Sequence, residues 1–126
     1  MNFLKSYYDN GQLKSIVPLI DGIKHGTERK YFPTGKIWIE RQYVNGIKHG
    51  IEKTYWFSGK DKQSIIRHEM FWFHGQAHGI EKWYDEQGNI IIIQYYWYDK
   101  AISKEQWENI PRLTKLLSGV TETLRF

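Results

Sequence analysis

The sequence predicts an all-β fold, an antiparallel meander of stacked β-hairpin repeats with a short C-terminal helical cap. Three observations predict it. The pattern G-x-x-H-G-x-E-x-x-Y-x-x-x-G occurs three times. Between copies, residues alternate with the period of two that marks strands. Beyond Ser103 the apolar spacing becomes helical.

The copies are DGIKHGTERKYFPTGK (21–36), NGIKHGIEKTYWFSGK (45–60) and HGQAHGIEKWYDEQGN (74–89). Gly22, Gly46 and Gly75 open them, with steps of 24 and 29 residues. Glu28, Glu52 and Glu81 follow, then Tyr31, Tyr55 and Tyr84, and Gly35, Gly59 and Gly88 close them. The five extra residues of the longer step fall near 60–64. Tyr7 and Gly11 belong to a partial earlier copy, and Asp99-Lys100 is expected where a later copy would carry Asn45-Gly46. Glycine at these places supplies the positive φ of a hairpin turn, where a β-carbon would clash.

Alternation divides the strands into two faces. Ile37, Ile39, Arg41 and Tyr43 define the first. The expected equivalents are Leu13, Ser15, Val17 and Leu19, then Ile66, His68, Met70 and Trp72, then Ile91, Ile93, Tyr95 and Trp97. The repeated tyrosines and the column Leu19, Tyr43, Trp72 and Trp97 are expected to form a spine. On the second face Ile20, Val44, Phe73 and Tyr98 are expected to share one position, and Pro18, Gln42, Phe71 and Tyr96 the one two residues earlier.

At the C-terminal end, Ser103 with Gln106 reads as a capping box. Trp107, Ile110, Leu113, Leu116 and Leu117 follow at helical spacing, Pro111 divides them into two short helices, and Gly119 is a stop. The expected organisation is one structural domain, with the repeat array at 1–101 and the cap at 102–126. The cap is expected to cover the open end of the sheet.

Composition bounds the function. The chain has 126 residues, 17% of them aromatic, and a net charge of +4. Cys is 0, which excludes disulfides and thiolate metal sites. No stretch approaches the roughly 20 apolar residues of a membrane helix, and 1–14 lacks the apolar core of a signal peptide. A cytoplasmic location is the expectation.

The pattern Y-x-x-x-G with N-G-x-x-H-G resembles the MORN repeat (membrane occupation and recognition nexus). More closely, it is similar to the variant MORN repeats of small bacterial and large-virus proteins, some of them antitoxin-like components of toxin–antitoxin pairs. The resemblance spans about Tyr7 to Tyr98. It implies an elongated meander of stacked hairpins. It also implies a module that binds and occludes a partner protein, such as a toxin or effector.

Three residue sets compete as the functional site. His25, His49 and His78 recur at one position, and a column of imidazoles suggests a divalent metal. Ladder geometry spaces them about 4.8 Å or more apart in one line rather than converging them, so they read as turn residues bonded to backbone, with no metal and no cofactor. The repeated glutamates read as structural, paired with backbone N–H groups or with Lys53 or Lys82. A residue found in every unit is not the unique constellation an enzyme needs, so the chain is read as a non-enzyme. The expected partner site is the aromatic second face: Trp38, Trp56, Phe71, Phe73, Tyr96 and Tyr98. Its occupant is a foreign protein or, in the other arrangement, a second copy forming a two-fold dimer. The rival site is a basic stripe of Lys24, Arg29, Lys30, Lys48, Lys53 and Lys60, suited to anionic lipid or nucleic acid.

Overall fold

The computed structural model describes residues 2–59 and 61–120. Lys60 of the basic stripe and residues 121–126 of the expected cap lie outside the described residues.

The described residues form one antiparallel sheet of twelve strands. These are β1 (Asn2–Tyr7), β2 (Leu13–Ile20), β3 (Ile23–Lys24), β4 (Gly26–Tyr31), β5 (Ile37–Val44) and β6 (Ile47–Lys48). Then come β7 (Gly50–Tyr55), β8 (Ile66–Phe73), β9 (Gln76–Ala77), β10 (Gly79–Tyr84), β11 (Ile90–Trp97) and β12 (Lys100–Ile102). The order is β1-β2-β4-β5-β7-β8-β10-β11-β12, a meander, with the two-residue strands β3, β6 and β9 pairing back on β2, β5 and β8.

Each unit reverses at a two-residue turn whose first residue has positive φ: Asp21 (51°), Asn45 (51°) and His74 (48°). The next residue is Gly22, Gly46 or Gly75, also at positive φ. The following unit is hung on the one before. Gly46 N–H donates to Lys24 O at 2.8 Å, Gly75 N–H to Lys48 O at 2.8 Å, and Asp99 N–H to Ala77 O at 2.7 Å. The fourth reversal is therefore Tyr98-Asp99 (φ 47° and 72°), one residue earlier than the expected Asp99-Lys100. Aspartate is among the few non-glycine residues that tolerate this conformation.

The same one-residue difference runs through β11. Trp83 pairs with Ile92, Glu81 with Gln94 and Gly79 with Tyr96. Ile92, Gln94 and Tyr96 thus continue the first face, and Ile91, Ile93, Tyr95 and Trp97 lie on the second. A slip of one residue exchanges the faces. The first-face column is Leu19, Tyr43, Trp72 and Tyr96.

The repeated tyrosines do not join that column. A bulge precedes each of Tyr31, Tyr55 and Tyr84, and the last two reach across the second face. Tyr55 Oη donates to Glu40 Oε1 at 2.9 Å, and Tyr84 Oη to Glu69 Oε1 at 3.1 Å.

The cap consists of α1 (Lys104–Asn109) and α2 (Arg112–Leu117). The capping box is present: Gln106 N–H donates to Ser103 Oγ at 3.0 Å, and Ser103 N–H to Gln106 Oε1 at 2.9 Å. The helices fold over the second face at its C-terminal end. Trp107 and Val120 pack with Ile80 there, flanked by Tyr95, Trp97 and Ile102. Gly119 permits the closest approach. It has φ 98°, and a β-carbon on it would stand 2.7 Å from Phe73 Cε1. The cap covers a face, and among the described residues the outer edge of β11 ahead of Tyr95 has no neighbouring strand, because β12 pairs only with Tyr95–Trp97.

Candidate functional site

The first face is closed by its own side chains. Val17, Ile39 and Met70 are buried there beside the carboxylates of Glu28 and Glu52. Arg41 links the two: its Nη1 stands 3.5 Å from Glu28 Oε1 and its Nε 2.7 Å from Glu52 Oε2. Lys24 pairs with Glu28 at 3.0 Å and Lys48 with Glu52 at 3.7 Å. Trp72 Nε1 donates to Glu52 Oε1 at 2.7 Å. In the third unit, Glu81 Oε2 meets His68 Nε2 at 2.7 Å and Glu81 Oε1 accepts from Tyr96 Oη at 3.4 Å. The repeated glutamates are thus tied within their own face. Lys53 and Lys82, the partners expected for them, stand on the other face opposite Glu69, because neighbouring residues of a strand point to opposite sides.

The three histidines stitch successive units. The ring Nδ1 of His25 accepts from Asn45 N–H at 3.3 Å, that of His49 from His74 N–H at 3.1 Å, and that of His78 from Tyr98 N–H at 2.9 Å. Burial, and then the neighbouring His74, hold the His49 imidazole below its ordinary pKa. Among the described residues, no three His, Asp or Glu side chains gather as a metal-holding group.

The six expected partner-binding residues are dispersed. Trp38 packs at 5.7 Å from Phe32, which meets Phe57 at 5.2 Å. Trp56 Nε1 donates to Tyr84 O at 3.1 Å, and Arg67 lies 4.6 Å above its ring. Phe71 is buried, and Phe73 lies under Gly119. The register puts Tyr96 on the first face, whereas Tyr98 opens the fourth reversal with its ring 6.1 Å from that of Phe73 and 4.3 Å from that of His78.

The basic residues are likewise divided. Lys24, Lys30 and Lys48 share the first face, and Arg29 and Lys53 the second. Lys24 and Lys48 also lie over Tyr43 and Trp72, at 5.0 and 4.5 Å. Arg29 pairs with Glu40 at 3.1 Å.

Ile20 and Val44, expected at one second-face position, are joined there by Ile23 and Ile47, which had not been expected, in an aliphatic stripe. Ile20 faces Ile23, and Val44 faces Ile47, across successive reversals. All four are 40–50% exposed. Each pair leans on the next unit: a β-carbon on Gly46 would stand 3.1 Å from Ile23 Cγ2, and one on Gly75 the same distance from Ile47 Cγ2. The signal was present in the D-G-I-K and N-G-I-K strings, whose isoleucine follows the turn glycine at the same offset. Beyond the stripe the second face turns polar along Glu40, Tyr55 and Glu69, then aromatic at Trp38, Phe32 and Phe57. No helix among the described residues is long and apolar enough to cross a membrane.

The family model of the MORN repeat variant matches residues 4–21, 24–45 and 77–98. No curated protein and no solved structure matches the chain. The unmatched stretch contains the loop widened by the five extra residues, yet β7 and β8 around it pair in the register of β4 and β5. MORN repeats commonly act as protein- or membrane-binding modules. The three matched stretches, set in a meander in which each unit bonds to the next through its histidine and its turn, are variant MORN repeats.

Proposed function

We propose that the chain is a protein-interaction module that covers a partner's surface with the uncapped part of its second face. The observation that carries this reading is the aliphatic stripe Ile20, Ile23, Val44 and Ile47, four large apolar residues left 40–50% exposed in a row. Contiguous exposed apolar surface of this kind marks interaction sites. Trp38 and Phe57 supply aromatic anchors at the other end of the strands, the residue type that dominates interface energetics. Of the six partner-binding residues read from the sequence, Trp38 remains in this proposal, and Phe73 lies beneath the cap. An antitoxin- or inhibitor-like role follows if the covered surface is a partner's active one.

The basic-stripe reading ranks second. Its lysines and arginines are divided between two faces, and Lys24, Lys48 and Arg29 are paired with carboxylates. Interleaving of this kind weakens a single-sign field.

The test is co-purification from the native host with the wild type and with an Ile23→Asp/Ile47→Asp variant, the fold of each checked by circular dichroism. The expected result is a protein that co-purifies with the wild type and is lost with the variant. Retention of that protein would overturn the reading. Salt-sensitive binding to anionic vesicles that both forms share would favour the basic alternative.

A further inference from the structure

Among the described residues, the last long strand lacks the neighbour that every earlier one has. In β2, Ser15 and Ile16 pair with Lys30 and Arg29 of the following unit. In β5, Ile39 and Glu40 pair with Thr54 and Lys53, and in β8, His68 and Glu69 pair with Trp83 and Lys82. The equivalent residues of β11, Ile92 and Ile93, have no such pairing among the described residues. The cause is local. β12 pairs Ile102 with Tyr95, and the Ser103 capping box then turns the chain into α1. Residues that would have run on beside Ile93 enter a helix instead. Ile90, Ile91, Ile92 and Ile93 are consequently 42–60% exposed along an open sheet edge. Such an edge presents unpaired N–H and C=O groups, a template for an added strand.

A second feature says what that strand should carry. A cavity of about 500 Å³ opens between the second face of β11 and the helices, with Ile93, Tyr95 and Trp107 among its walls. Lys104, Arg112 and Lys115 also line it, against the one carboxylate of Glu108. Lys104 pairs loosely with Glu108 at 3.8 Å, and Lys115 Nζ lies 4.4 Å above the Trp107 ring. Burial holds the Lys115 ammonium below its ordinary pKa, with Glu108 opposing the shift. Residues directly opposed in a sheet share a face. The residue of an added strand opposite Ile93 would therefore point to the cavity side.

We infer that the β11 edge binds an extended segment of a partner protein by strand addition, with Asp or Glu opposite Ile93 set against Lys104, Arg112 and Lys115. The charges argue against a second copy. Two-fold pairing of β11 with itself would put two sets of these cations side by side on one face, and pairing with β1 of another copy would bring Lys5 toward them. This edge is separate from the aliphatic stripe, so its test can fail without touching that reading.

The probe is the blocked hexapeptide acetyl-Val-Thr-Val-Glu-Val-Thr-amide, compared with its Lys-for-Glu version. Each is titrated into the full chain and followed through backbone amide signals. The expected result is perturbation along Ile90–Gln94, an affinity at least about tenfold higher for the Glu peptide, and reversal of that preference in Lys104→Glu/Arg112→Glu. Both substituted residues are exposed, so the variant should fold. Unperturbed Ile90–Gln94 signals would overturn the proposal, as would a preference that persists in the charge-reversed variant. A concentration-dependent dimer abolished by Ile92→Lys would also overturn it, by making the occupant a second copy.

Discussion

His78 Nε2 lies 2.9 Å from Ser118 Oγ, a contact between residues 40 apart in the chain that fastens the helical cap to the third repeat. The tautomer follows from the neighbours. Nδ1 accepts from Tyr98 N–H, and Ser118 Oγ–H donates to Lys115 O at 2.7 Å, so the proton sits on Nε2 and points at Ser118. His25 and His49 make the same backbone bond, but only His78 has a cap above it. At 1% exposure it is the most enclosed polar side chain among the buried ones.

That enclosure predicts acid lability of the cap. Burial holds the His78 imidazole below its ordinary pKa. The folded state thus binds fewer protons than the unfolded one just below the unfolded value of about 6.5. Its contribution to stability is complete above that value and lost as pH falls through the folded pKa. Thermal midpoints followed through Trp fluorescence should decline as pH drops from 7.5 to 5. His78→Gln should flatten part of that decline, and an unchanged slope in the variant would contradict the assignment.

The carboxylate ladder of the first face predicts unequal costs for ion pairs. Removing Glu52 takes the closer carboxylate from Arg41, the ion-pair partner from Lys48 and the acceptor from the Trp72 indole N–H, leaving Arg41 only Glu28 at 3.5 Å. Glu52→Ala should therefore cost about 2–4 kcal/mol. Arg29→Ala breaks a solvent-facing pair with Glu40 and should cost less than about 1 kcal/mol. Urea unfolding of both variants checks the ranking, and equal midpoints would contradict it.

Two tyrosines should ionise late. Burial, with Glu40 accepting the phenol proton, pushes the Tyr55 phenol up to about 12. Burial and Glu69 push Tyr84 up to about 12 as well. The folded state keeps these protons when the unfolded state has lost them, so this stabilisation is present below pH ~10 and lost as pH rises through the folded value. Absorbance titration at alkaline pH should show a late component that Tyr55→Phe and Tyr84→Phe each reduce. Each change should also cost roughly 1 kcal/mol, the usual net value of one hydrogen bond.

The sequence was most legible where a residue type has one physical job. Turn glycines at fixed offsets and the Ser103–Gln106 capping box led directly to the reversals and to the start of α1. It was least legible at Ile90–Trp97. IIIIQYYW is apolar on both faces, so alternation alone carries no phase, and only counting from Gly88 sets the register. The misplacement of Tyr96 and Tyr98 follows from that. The Ile23 and Ile47 half of the aliphatic stripe was hidden for another reason: each unit contributes only two such residues, and the surface exists only once units stack. The open β11 edge depended on where the cap folds, which local spacing does not encode.

The most direct test of the account compares Ile39→Ala on the closed first face with Ile47→Ala on the exposed stripe. Each is measured for stability in urea and for association with the co-purifying partner. The account predicts a loss of about 2–4 kcal/mol for Ile39→Ala. For Ile47→Ala it predicts less than about 1 kcal/mol of stability lost and at least about tenfold weaker association. If Ile47→Ala destabilises the fold as much as Ile39→Ala, or leaves association unchanged, the stripe is packing and the second face is not the contact surface.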